Sequence, residues 1–174
     1  MNSNIEIVGL ILSLLNYCFV FLMIFNLLKV NYFNPIVSTF VKIYKTISKI
    51  LPTLINPVIN IFVIAVGLKL LSLIVYFGSQ YETITLLGVA IIQTLMVTVR
   101  IIFFAVIGGV ILSWVSPEKS NAFLELVVEI SYKSLEPIRK YIPSAGGLDF
   151  SPLFVLILIN LIEKFLSDIL RSIV

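Results

Sequence analysis

From Ile7 to Leu28 the chain passes through an apolar stretch without a single charged residue. A helix of about 20 apolar residues crosses the hydrocarbon core of a bilayer, so this stretch alone constrains what the chain can become. Comparable stretches follow at Pro57–Phe77, interrupted only by Lys69, and within Leu86–Val115, which holds Arg100. A fourth runs from Pro152 to about Leu166 and continues toward Ser172, with Glu163 and Lys164 near the end of its apolar part. The reading is an all-α integral membrane protein with four transmembrane helices, at about 7–28, 57–77, 94–115 and 152–170. Composition agrees: 12% of residues are charged, against roughly 25% in soluble domains, so lipid must cover the exterior. The N-terminus lacks a basic leader region, carries Glu6 and shows no small-residue cleavage site, and is expected to be a retained anchor.

Several functions are disfavoured by what the chain lacks. There is no histidine, and Cys18 is the lone cysteine, inside an apolar run. That removes histidine acid–base chemistry, histidine metal sites and an internal disulfide. No nucleophile–base pair or metal cluster can be assembled, so neither an enzyme nor a cofactor is expected. The net charge of +3 is small and its lysines and arginines are scattered, which argues against nucleic acid as a partner.

The two halves repeat a pattern of span, polar break, amphipathic segment, and a polar–proline pair opening the next span. Asn34 follows the first span as Asn121 follows the third, and Asn56-Pro57 corresponds to Ser151-Pro152. Asn and Ser suit a helix N-cap and Pro the first helical turn. This divides the chain into units 1–84 and 85–174, inserted the same way as a parallel repeat. In the first connector Ser38, Lys42, Lys45 and Lys49 share one helical stripe, with Ile36, Phe40, Ile43, Ile47 and Ile50 largely away from it. In the second, Glu125, Glu129, Lys133 and Glu136 form the polar stripe, with Phe123, Leu126, Val127 and Ile130 mostly off it. Such helices lie in the interfacial plane or pack on the bundle. Lys29, Lys42, Lys45 and Lys49 stand on one connector and Lys119, Lys133, Arg139 and Lys140 on the other, whereas the N-terminal tail and 78–85 hold no Lys or Arg. The positive-inside rule then places both connectors in the cytoplasm and both termini outside a bacterial inner membrane.

The run EPIRKYIPSAGGLDFSP, Glu136 to Pro152, is the most specific segment of the chain. Arg139 and Lys140 fit lipid phosphates or acidic groups of a partner, and equally a plain topology signal. Pro143 shapes the segment, while Gly146 and Gly147 suit either a backbone anion nest or a turn with positive φ. Asp149 could pair with Arg139 or cap the last span, for which Ser151 is the better-placed residue. Arg100, Lys69 and Glu163 are ionisable groups inside spans, where such groups mark function by default. Arg100 and Lys69 could instead snorkel toward the outer boundary, and Glu163 could be the partner of Arg100. Ala105, Gly109 and Ser113 form a small-residue ridge for close helix packing, against a span of the same chain or a second copy.

ILSWVSP (Ile111–Pro117), Asn121, EPIRKYIP and GGLDFSP together resemble the YggT family of small integral membrane proteins. The resemblance covers nearly the whole second half. The first half carries only Asn34-Pro35, the amphipathic run and Asn56-Pro57, and Lys140 stands where a second arginine is frequent. The resemblance implies roles in osmotic-stress tolerance and ion uptake, or in division and cofactor assembly. The expectation is a non-enzymatic inner-membrane scaffold or assembly factor. Its partners would be the bilayer, another membrane protein, or a second copy in a homo-oligomer. The alternative is an ion transport or channel subunit using Lys69, Arg100 and Glu163.

Overall fold

The computed structural model describes residues 3–47, 56–115, 121–142 and 149–173, and their regular structure is entirely α-helical. Six helices follow in order: α1 (Ser3–Leu27), α2 (Pro35–Ile47), α3 (Pro57–Phe77), α4 (Thr83–Val115), α5 (Ala122–Arg139) and α6 (Ser151–Ile173). Helices α1, α3 and α4 are long and apolar enough to cross a bilayer, which points to a membrane protein. The fourth expected span is helical but falls outside that set, because Glu163, Lys164, Asp168 and Arg171 charge its C-terminal half. The third is longer than expected, starting at Thr83 and not near residue 94. The 84/85 boundary therefore falls inside the first turn of α4.

Local chemistry explains the helix ends. Asn34, Asn56 and Asn121 each accept a hydrogen bond from the backbone N–H two residues on, at 2.9–3.0 Å. Pro35 and Pro57 occupy first-turn positions where a missing N–H costs nothing. At the end of α1 the chain reverses through Lys29 at φ 51°, and the Val30 N–H returns to the Phe25 carbonyl at 2.9 Å. This is a Schellman-type stop, made with lysine where glycine is usual. The last helix is capped differently from expectation. Asp149 accepts from the Ser151 N–H at 2.9 Å, so Ser151, fully buried, contributes its backbone and Asp149 is the cap.

Helices α1 and α3 are antiparallel neighbours over their full length. The Tyr76 ring lies against Gly9, where a Cβ would sit 2.4 Å from it, and Ser13 meets Ser72 at 2.9 Å. Helix α2 turns back onto α1. Phe40 packs edge-on to Phe25 at 5.8 Å, and Tyr44 is edge-on to Phe19 while accepting a hydrogen bond from Asn60. Lys42 and Lys45 are left exposed, whereas Lys49 and Ile50 lie outside the described residues.

With 33 residues against 21, α4 is about 50 Å long where α3 is about 31 Å. Helix α5 crosses the overshooting end of α4. Val127 lies on Gly108 and Ser131 on Gly109, where a Cβ would be 2.3 Å from the serine Oγ. The small-residue ridge therefore receives α5 of the same chain. Ala105 is buried beneath that crossing, and Ser113 lies exposed farther along. Phe123, expected largely off the polar stripe of α5, is 62% exposed.

Helix α6 runs antiparallel beside α4. Val155 and Ile159 cluster with Val106, Glu163 meets Arg100, and Ile173 lies on Gly88.

Candidate functional site

Helix α5 is a crossbar fastened at both ends by polar contacts. At its N-terminal end the Asn34 amide donates to the Ala122 carbonyl at 2.7 Å, joining the capping asparagine of one connector to the other connector. The Glu129 carboxylate accepts from the Asn31 N–H at 2.8 Å, and the Lys133 ammonium donates to the Lys29 carbonyl. A cation at the carbonyl end of α1 is the favourable sign for its dipole. Glu129 and Lys133 also pair with each other at 3.2 Å. The polar stripe of α5 thus includes two residues that clamp the α1–α2 turn.

At its other end Arg139 pairs with Asp149 at 2.9 Å, and its guanidinium sits 5.0 Å above the Tyr132 ring. Asp149 bonds both the α5 cation and the first N–H of α6, so it serves both roles weighed for it. Partial burial pushes the Asp149 carboxyl up, but the Ser151 N–H and the Arg139 guanidinium outweigh this and hold it below the usual carboxylate range. Lys140 is exposed at the C-cap of α5. Pro143, Gly146 and Gly147 lie outside the described residues.

Beside this pair a groove of about 710 Å³ opens between α4, α5 and the start of α6. Val110, Leu135, Leu153 and Leu156 give it apolar walls, and Ser131, Tyr132, Arg139 and Asp149 a polar side. Trp114 stands at its edge, 83% exposed. The combination suits an amphipathic group: apolar surface to bury, and a cation held over an aromatic ring beside it.

The intramembrane candidates separate. Arg100 and Glu163 form an ion pair across α4 and α6, with side chains 56% and 26% exposed. Arg100 thus has a protein partner on the facing helix. It lies near the middle of α4. Lys69 lies on α3, half-buried, and joins neither of them in an ion pair.

One polar group was not anticipated. Asn16, 2% exposed, donates to the Ala65 carbonyl at 2.8 Å and to Thr94 at 3.3 Å. Ser72, between Ser13 and the Gly9 carbonyl, continues this seam, which joins α1, α3 and α4. The available signal was Asn16 one helical turn from Ser13 inside an otherwise apolar span.

A sequence profile described as CCB3/YggT matches residues 88–170. The chain is similar to an uncharacterized Pseudomonas aeruginosa protein, 30% identical over 165 residues, covering 86% of this chain and 80% of that one. An uncharacterized Haemophilus influenzae protein is 29% identical over 147 residues, covering 82% and 79%. The Escherichia coli K12 protein YggT, also called uncharacterized, is 26% identical over 151 residues, covering 82% and 77%. No solved structure matches the chain.

Proposed function

This chain belongs to the CCB3/YggT family, and we propose that it acts there as a non-enzymatic inner-membrane scaffold or assembly factor. It spans the membrane four times as two helix pairs, α1/α3 and α4/α6, each joined by an amphipathic connector helix. Both connectors face the cytoplasm and both termini face out. The register of α6 supports the fourth span: it follows α4 from Val106 to Gly88, the length over which α4 also meets α1 and α3. Of the charges in its outer half, Glu163 lies against Arg100 of α4.

The observation that carries the scaffold reading is the groove bounded by the Arg139–Asp149 pair. A cytoplasmic partner or lipid headgroup docks there through Arg139, Lys140 and Asp149, with Trp114 and Tyr132 as apolar anchors. The alternative, a transport subunit, groups Lys69 with Arg100 and Glu163. Its support is weaker, since only the last two come together.

Two measurements test this. With Cys18 replaced, cysteines at Ser79 and Ser144 are introduced singly and probed with an impermeant thiol reagent on intact cells. Labelling of position 79 alone is expected, and the reverse pattern sinks the topology. The double variant Arg139→Ala/Asp149→Ala is then expected to insert with a stability loss of about 0.5–2 kcal/mol, the usual cost of a lost helix cap. It should recover less partner in mild-detergent affinity purification, while Lys42→Ala/Lys45→Ala leaves recovery intact. Equal loss in both doubles removes the docking role, and a protein-dependent ion flux abolished by Arg100→Gln replaces it with transport.

A further inference from the structure

On α6, Asn160, Lys164, Ser167 and Arg171 recur at spacings of four, three and four, which aligns them as one stripe with Asp168 beside it. The stripe lies on the flank of α6 next to Arg100 and is open. The side chains of Asp168 and Arg171 are 59% and 83% exposed, and their mutual contact is a loose 3.9 Å. Lys164 is exposed and has no ion pair among the described residues. Asn160 spends its amide on its own helix, at the Leu156 carbonyl. Only 17% of the most apolar stretch of α4 is buried, against 39% for α1.

We propose that a second copy of this chain covers this open α4/α6 flank, with Lys164 of each copy paired to Asp168 of the other. The inference rests on α6 being a span, as proposed above. Lipid offers no partner to an ammonium group in that stripe. A foreign protein would have to bring the opposite charges, whereas this stripe already carries both signs. Lys164 and Asp168 are four residues apart, about 6 Å along the helix axis, which a lysine side chain reaches. Copies inserted with the same topology relate by a two-fold axis along the membrane normal. Their α6 helices are then parallel, and the Lys–Asp contact forms twice, once in each direction. Glu163 is already committed to Arg100 and holds the two helices of each copy in register behind the seam.

The test uses the full chain in lipid nanodiscs, sized by native mass spectrometry. The wild type is expected as a dimer. Lys164→Asp should weaken association at least tenfold, and Lys164→Asp/Asp168→Lys should restore it, because the swap keeps the pairing while each single change destroys it. On a Cys18→Ser background, Ser167→Cys should form an oxidative cross-linked dimer. Leu158→Cys, on the exposed face turned away from the stripe, should not. A monomeric wild type, an indifferent single variant or an unrestored swap overturns the proposal. Labelling of Ser172→Cys separates the two ideas. Access from the side of Ser144→Cys removes the fourth span and the dimer together, whereas access from the opposite side with a monomeric protein removes the dimer alone.

Discussion

The α1–α3 contact and the α4–α6 contact solve one problem in opposite ways. Each joins two long helices that both place polar residues on the shared surface. Between α1 and α3 those residues are neutral and enclosed: Ser13, Ser72 and Asn16 bond one another or backbone carbonyls, and Asn16 and Ser72 are nearly inaccessible. Between α4 and α6 they are charged and open, with Arg100 more than half exposed against Glu163. A neutral, enclosed and hydrogen-bonded seam fixes helix register. A charged, half-open seam still has unmet demands, so the second half of the chain is where a partner is to be sought. The same contrast holds at the ends of α5. The first end is tied by hydrogen bonds to the α1–α2 turn, and the second by a single ion pair beside an open groove.

The charged seam gives the strongest way to break this comparison. Arg100→Gln leaves the less exposed carboxylate of Glu163 unpaired, so it should lower the melting temperature in detergent more than Glu163→Gln does. Arg100→Gln/Glu163→Gln should recover much of the loss, with a coupling of about 0.5–3 kcal/mol in a double-mutant cycle. A cycle with no coupling would mean that water already solvates both groups.

The neutral seam should respond less. Asn16→Leu removes the bonds to Ala65 and Thr94, but the Ala65 carbonyl keeps its helical partner. The expected loss is on the order of 0.6–1.7 kcal/mol, the range for hydrogen bonds between membrane helices. Thermal unfolding should show it with dimer content and partner recovery unchanged. A change in either of those at unchanged stability would give the seam a functional role and erase the contrast.

The smallest effect concerns pH at the groove. The Asp149 carboxyl titrates below its unfolded value, so its stabilising contribution is present above about pH 4 and is lost as pH falls through the folded value. The difference in melting temperature between wild type and Asp149→Asn should therefore be flat from pH 8 to about 5 and vanish only in stronger acid. A difference that disappears near neutrality would contradict the Arg139 and Ser151 contacts.

The helices, including the three long and apolar enough to cross a bilayer, and the capping asparagines were legible in the chain, because each is set by local chemistry. Apolar runs of bilayer length, a side-chain oxygen two residues before an N–H, and proline in a first turn need no knowledge of what lies opposite. The sequence reads α6 as a fourth span, but its charged C-terminal half keeps it out of the helices apolar enough to cross a bilayer, and its place beside α4 comes only from packing. Partnerships were legible as candidates only. Asp149 is the cap where Ser151 was expected, because the Arg139 guanidinium and the Ser151 N–H converge on one carboxylate. The ridge of Ala105, Gly109 and Ser113 promised a close neighbour, and the crossing of α5 over the overshooting end of α4 decided which one. Glu129 and Lys133 were legible only as members of a polar stripe, and the α1–α2 turn folded beneath α5 made them a clamp. Spacing along a helix determines which residues share a face. Which surface that face meets depends on how far each helix extends and where its turns return, and that is settled only when all six pack together.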